Sequence, residues 1–551
     1  MFKTLSLYWH TLRYLKPVQI YGRLWYRAAR PKPDLKPPPS LRKPEGNWAP
    51  CAARRQSLTP PDEFIFLNQK GSLAALGWDN PATERLWRYN LHYFDDLNAE
   101  DAATRKALHV SLLDAWVQSN PPGQGTGWEP YPTSLRIVNW IKWTLAGNEL
   151  STDGQHSLAI QTRWLTKRLE RHLLGNHYFA NAKALVFSGL RFEGPEAQAW
   201  LETGLAIISQ QLPEQVLQDG GNFERSPMYH SIFYEDLLDL INLARVWPQQ
   251  IDQKVLAQWQ AVAAKMGGWL TGMTHPDGQI SLFNDAAFGV TPTPANLAEY
   301  ATRLDLVPAL SDHVQRGSIA LEQWPESGYI RLTSPEAVAI LDVAPLGPDY
   351  LPSHANADTL SFELSCFGQR VIVNGGTSRY GTGQDRLLER QTASHSTLEI
   401  DDQSSSEVWG GFRVARRAYP FALSFAQSVD QITVDCSHNG YSRLPSKPVH
   451  RRTWEWAEGC VIVRDHLSTT VKKAIARYVF HSDLQVQQLS ATKLMVVLPN
   501  GKILNVTVLA GVAKLQLATH ATEFGLVHQT SRLEIVVENE NAAVCFDWRN
   551  E

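Results

Sequence analysis

The sequence predicts an α+β multidomain protein in which paired amphipathic helices come first, as an α/α array or toroid, and antiparallel strands follow. Three observations carry this reading. Apolar residues recur at helical spacing from Trp78 to about Ser311. After Tyr329 the period falls to two. Asn500-Gly501 then stands between two apolar runs, a strong short-range hairpin signal. A chain of 551 residues is long enough for two or more cores. The expected division is an N-terminal arm with connector (1–50), a toroid domain (51–320) and an antiparallel β domain (321–551).

In chain order, the arm is basic and aromatic but lacks the apolar core and small-residue cleavage site of a secretory signal. Cytoplasmic residence is expected on that ground, with periplasmic or cell-envelope association as the alternative. No later stretch is long and apolar enough to span a bilayer, so no stable membrane insertion is expected. The arm from Tyr14 to Arg30 is expected to dock on the helical domain, with a membrane surface as the alternative. Residues 31–50, PKPDLKPPPSLRKPEGNWAP, read as an extended connector. Leu135, Val138, Ile141 and Leu145 mark one helix. Leu158, Leu165, Leu169 and Leu173 mark the next, with Gly175 as its C-cap. Past Tyr329, Leu360, Phe362, Leu364 and Cys366 alternate with polar neighbours, and HSTLEI, QITVDC and GCVIVRD continue as strands.

Composition limits the function. The hydrophobic fraction of 43% and charged fraction of 19% are those of a soluble globular protein. A net charge of −3 supplies no global field for nucleic acid or anionic membrane, so an acidic ligand requires a local basic cleft. Most of the 19 Trp are expected in cores, although aromatic faces also line sugar pockets. The five Cys are scattered and form no CxxC, which points to free thiols rather than a disulfide framework or a cysteine zinc site.

Four polar clusters fall at element ends. GWEPYPTSLRIVNW places Trp128, Glu129, Tyr131 and Arg136 around a helix start, where an elaborate cap is the alternative. LLGNHYFANAKAL places Asn176 and His177 at a helix boundary, either as capping groups or as donors to a substrate carboxylate. QDGGNFERSPMYHSIFYED brings Glu224, Arg225, Tyr229 and His230 to another helix start, where a buried Tyr-His pair is the plainer reading. YLPSHANADTLSFELSCFGQRVIVNGG carries His354, Asn356 and Asp358 just before a strand, so His354 and Asn356 are expected on one face, and His395 is expected to open another strand.

The order NH, then DGGxxERSPMYH, then SHxNADxLSFEL with a following NGG and SHST, resembles the heparinase II/III family of polysaccharide lyases over roughly Trp78 to Trp409. The resemblance implies a toroid followed by a β-sandwich, with an acidic polysaccharide or oligosaccharide cleaved by β-elimination between them. By the same resemblance Asn176, with His177, matches the group that neutralises the uronate carboxylate. Tyr229 matches the acid and same-face base, and His354 the base from the sandwich. A tyrosine base needs a cation to lower its pKa, and Arg225, Arg136 and His230 are the candidates. Many members carry a structural zinc held by a second His, an Asp and a further His. The matching positions here are Asn356, Asn374 and His395, so the zinc is expected to be absent, with the amides holding the loops by hydrogen bonds.

Two other functions compete. A toroid-fold glycoside hydrolase would need two carboxylates about 5–10 Å apart, drawn from Glu224, Asp219, Asp277 and Asp285. A non-catalytic protein of polysaccharide assembly would keep the cleft only to grip acidic glycan.

Overall fold

The computed structural model describes residues 2–309, 313–428 and 430–549, so Ser311, the expected end of the helical pattern, lies outside the described residues. Helices fill the first half and antiparallel sheets the second. The helical array runs through Pro130–Leu145, Thr152–Lys167, Gly175–Arg191, Pro195–Gln215, Pro227–Val246 and Gln253–Gly272. Their starts follow ordinary capping chemistry: Ser151, Ser226 and Asp252 accept backbone N–H bonds, and Pro130, Pro195 and Pro227 occupy first-turn positions. Neighbouring helices approach closely at glycines. A Cβ on Gly189 would lie 2.6 Å from the Leu201 nitrogen, and one on Gly204 2.8 Å from the Ala182 oxygen. Trp116, Trp140 and Trp247 are fully buried among these helices, so most tryptophan is core. A three-stranded sheet over residues 58–72, which alternation in the sequence did not reveal, precedes the array.

One expected helix is divided. The Leu158–Leu173 pattern breaks after Lys167, and Gly175 opens the next helix instead of capping the previous one. Its φ of +54° follows Leu174 at φ +62°, ψ −158°, a region that side chains other than glycine rarely occupy.

The strand half is a sandwich of a ten-stranded and an eight-stranded sheet. Leu332, Phe362 and Tyr478 of the first sheet share a core with Trp454, Val463 and Phe546 of the second. The Asn500-Gly501 turn joins Lys493–Val497 to Ile503–Ala510, with Gly501 at φ +81°. The strand Phe362–Cys366 is buried at every position, so its alternation does not mark a solvent face. Phe362 and Leu364 enter the sandwich core, whereas Glu363 and Ser365 face the helical half, where His275 bonds to Ser365 and its Nε2 lies 3.0 Å from Glu363.

The halves are fastened by Trp269 and Phe283 packed on Trp324, Tyr329 and Ile340. The arm touches both of them. Gln19 donates to the Tyr350 carbonyl, Thr11 to that of Val414, and Tyr26 stacks on His172. The connector is extended and held by side chains of the array, as where Arg163 donates to the carbonyls of Lys36 and Pro37. All five cysteines are free, with Cys366 and Cys436 buried. Among the described residues no helix is long and apolar enough to cross a membrane.

Candidate active site

A cleft of about 2060 Å³ opens between the helical array, the sandwich and the arm. Its floor is built from helix starts. Tyr131 begins Pro130–Leu145, Asn176 and His177 begin Gly175–Arg191, and Tyr229 begins Pro227–Val246, with Glu224 just ahead of it. Helix N-termini carry unpaired N–H groups and partial positive charge, so three of them at one cleft favour an anionic ligand. The roof comes from the sandwich half: His354, Tyr380, Phe412, Arg413 and Arg417. Arg413 and the arm's Arg23 and Arg27 give this side the local basic rim that a net acidic chain requires.

His354 is held from behind. Its Nδ1 lies 3.0 Å from Asp285 Oδ2, and Arg386 grips the same carboxylate with both terminal nitrogens. Although burial opposes ionisation, Arg386 and His354 hold the Asp285 carboxyl down at about 2. That carboxylate accepts a hydrogen bond from Nδ1–H, which leaves the lone pair of the neutral ring on Nε2. Burial lowers the His354 pKa, partly offset by Asp285, so the ring is neutral near pH 7. The free edge faces the reacting groups. The Tyr229 ring stacks on His354 at 3.8 Å, and His354 Nε2 is 3.9 Å from Glu224 Oε2.

Tyr229 is 2.9 Å from the Tyr380 hydroxyl, and burial, Tyr380 and Asp285 push its pKa well above 10. Its hydroxyl therefore keeps its proton at neutral pH. Burial and then Asp285 raise Glu224 to about 8, which keeps its carboxyl protonated at neutral pH. His177 stacks on Tyr131 at 4.3 Å, and its Nδ1 lies 3.2 Å from Glu170 Oε1.

Of the residues singled out in the sequence, Glu129, Tyr131, Asn176, His177, Glu224, Tyr229 and His354 meet at the cleft. Five that do not are Trp128, Arg136, Arg225, His230 and His395. Arg136 lies five positions after Tyr131, which turns it away from the cleft. It is fully buried, bonded to Gln161 and stacked on Trp116 at 3.8 Å. Trp128 is core, its Nε1 donating to the Asn120 carbonyl. His230 is rotated by one residue from Tyr229, stacks on Trp269 and bonds to the Met266 carbonyl; burial depresses its pKa to about 3. Arg225, at φ +57°, bonds to the carbonyls of Glu326 and Ser327 and so clamps the two halves. None of these three cations lines the cleft beside Tyr229.

His395 is the fifth, buried after the short helix Thr392–Ser394 and outside any strand. The stretch holding His354 and Asn356 is likewise a loop, the strand beginning only at Phe362, so the two do not share a strand face. His354 lines the cleft and Asn356 is buried. Among the described residues the Asn356 side chain and both His395 nitrogens have no hydrogen-bond partner, and the Asn374 side chain makes one bond, accepting at Oδ1 from the Ser396 N–H. The expected amide bonds that would hold these loops are therefore reduced to that one; at Asn356 it is the backbone N–H that bonds, to Asn284. Two amides and one imidazole do not fit tetrahedral zinc. Among the described residues no group of three or more His, Cys, Asp or Glu could hold a metal ion.

Sequence reasoning missed Tyr380 and Arg386, and it considered Asp285 only as a hydrolase carboxylate. Nothing near them in sequence marks them, because they reach His354 only through the fold. The hydrolase reading loses its second acid: Asp285 is bound to Arg386, Asp277 to Arg370, and Asp219 accepts from Ser327. Of the four named carboxylates only Glu224 lines the cleft.

Residues 96–309 match the heparinase II/III N-terminus model and residues 317–549 the heparinase II/III-like C-terminal model. The heparin-sulfate lyase of Pedobacter heparinus is 26% identical over 255 residues, covering 42% of this chain and 36% of that protein. The FtsZ-localized protein C of Caulobacter vibrioides is 27% identical over 395 residues, covering 67% of this chain and 62% of that one. This chain thus spans between about a third and two thirds of the length of these relatives. The crystal structure of heparinase III superposes with a TM-score of 0.64 at 16% identity, over 85% of this chain and 77% of that one. The heparan sulfate lyase HepC from Pedobacter heparinus gives 0.54 at 17% identity, over 96% and 87%. At such identities these likenesses show a shared fold. With both halves matched in order, the chain belongs to the heparinase II/III-like family.

Proposed function

We propose that this protein is a polysaccharide lyase that cleaves a uronic-acid-containing polysaccharide by β-elimination. The observation that supports it most is the His354 lone pair, backed by Asp285 and Arg386, beside a protonated Tyr229 in a cleft floored by helix N-termini. The uronate carboxylate lies against Asn176 and the adjoining helix starts, which spread the charge that develops as C5 loses its proton. His354 Nε2 takes that proton. The C5–H electron pair becomes the C4=C5 bond, the C4–O4 pair leaves on the oxygen, and Tyr229 protonates it. Return of the proton from His354 to the Tyr229 oxygen resets the site. Glu224, protonated, places no negative charge beside the base. The proposed substrate class extends to a bacterial surface or secreted polysaccharide.

The test is ultraviolet absorbance with a panel of uronate polymers. Growth of the conjugated unsaturated-uronate band is expected for the wild type, and a fall of about 10²–10³-fold for Asn176→Ala. Binding of such polymers with no band from any of them would overturn the lyase reading. It would favour the second one, a glycan-binding role without turnover, for which the unpartnered amides behind the His354 loop speak.

We also propose that the fold carries no zinc. Metal analysis of the purified protein is expected to find far less than one zinc per chain, and a chelator should leave thermal stability unchanged. Stoichiometric zinc whose removal lowers the melting temperature would refute this.

A further inference from the structure

The arm carries a surface that lies mostly outside the cleft. Helices Phe2–Leu12 and Pro17–Ala28 each have one face seated on the body, through Thr11 to the Val414 carbonyl and Gln19 to that of Tyr350. Their other faces are apolar and open. Leu5, Trp9 and Leu12 recur at i, i+4 and i+7, and Ile20, Tyr21, Leu24 and Trp25 form a second stripe. Trp9 is 67% exposed, Leu24 65% and Trp25 73%. An aliphatic and tryptophan stripe of this length, facing water on both helices of one arm, is what an unfilled interface looks like.

Charge identifies the occupant. Residues 1–33 hold seven Lys and Arg and no Asp or Glu, in a chain whose net charge is −3. Arg13, Arg23, Arg27, Arg30 and Lys32 are exposed, and none of them is ion-paired within the described structure. A second copy would bring two such arms together against their own repulsion. A glycan would satisfy the cations but cannot cover Leu5, Leu12, Ile20 and Leu24. An anionic bilayer meets both demands, with Trp and aliphatic side chains at the acyl boundary and Arg and Lys among the headgroups. Neither helix is long enough to span, so the arm would lie in the interface.

We propose that the N-terminal arm docks this protein on an anionic lipid surface. Because Leu12, Arg23 and Arg27 also line the cleft rim, docking holds the mouth of the cleft at the bilayer. The proposal does not depend on the reaction catalysed.

Flotation of the full chain with phosphatidylcholine vesicles, with and without phosphatidylglycerol, tests it. The protein should float with anionic vesicles, not with neutral ones, and less so at high salt. The triple variant Trp9→Ser/Leu24→Ser/Trp25→Ser, none of whose positions line the cleft, should float at least ~10-fold less while keeping its circular dichroism spectrum. No flotation of wild type, or equal flotation of the variant, would overturn the proposal. So would a dimer in light scattering, or retention on an acidic polysaccharide, that the variant loses in place of flotation.

Discussion

His354→Ala is expected to lower lyase turnover by about 10²–10⁴-fold, and Asp285→Asn by a similar factor although the ring remains in place. The two variants act differently. Alanine removes the base, whereas asparagine removes the acceptor that fixes the Nδ1 proton and so allows the tautomer with Nε2 blocked. A pH profile separates this from simple unfolding. Burial lowers the His354 pKa and Asp285 partly restores it, so the acid limb of kcat lies below pH 6.5 in the wild type and moves further down in Asp285→Asn. The alkaline limb follows Glu224, whose carboxyl gives up its proton at about 8. An Asp285→Asn protein that is folded, with wild-type turnover and an unmoved acid limb, would remove Asp285 from the mechanism. Asp285 is also bound to the fully buried Arg386, so the melting temperature is measured alongside.

Asp239→Ala is expected to destabilise the protein by about 3–5 kcal/mol, since it strips buried cations of their shared partner. Asp239, buried in the cleft wall, accepts from Lys142 at 3.0 Å, Lys183 at 2.7 Å and Tyr300 at 2.9 Å. Burial opposes its charge, yet the two lysines hold its pKa at about 2, while burial pushes the neighbouring Asp236 upward. Without Asp239, Lys142 keeps only Glu235 at 3.9 Å. The pH dependence has a definite sign. Asp239 and Asp285 ionise more readily folded than unfolded, so their stabilisation is complete above about pH 4 and is lost as pH falls toward about 2. Urea titrations at neutral and acid pH should show the wild type approaching the variant at the acid end. A loss under ~1 kcal/mol at neutral pH would mean that the lysines find other partners.

The sequence by itself determined the order of helices and strands, the Asn500-Gly501 hairpin and the helix starts at Tyr131 and Tyr229, because these depend on local periodicity and turn chemistry. It also supplied the groups that meet at the cleft from one helix turn each, Asn176 and His177 among them. What it could not supply was direction. Tyr229 and His230 are adjacent in sequence, and only packing against Met266 and Trp269 sends one to the cleft and the other to the core. Arg136, Arg225 and His230 looked equally able to activate a tyrosine, yet all three are committed elsewhere. The partners that matter, Asp285, Tyr380 and Arg386, come from segments 69, 151 and 101 residues away from the groups they bond. A pKa depends on burial and on charges within a few ångströms. Tertiary structure alone therefore decided that the His354 ring is backed by a carboxylate and that the Tyr229 hydroxyl is held protonated.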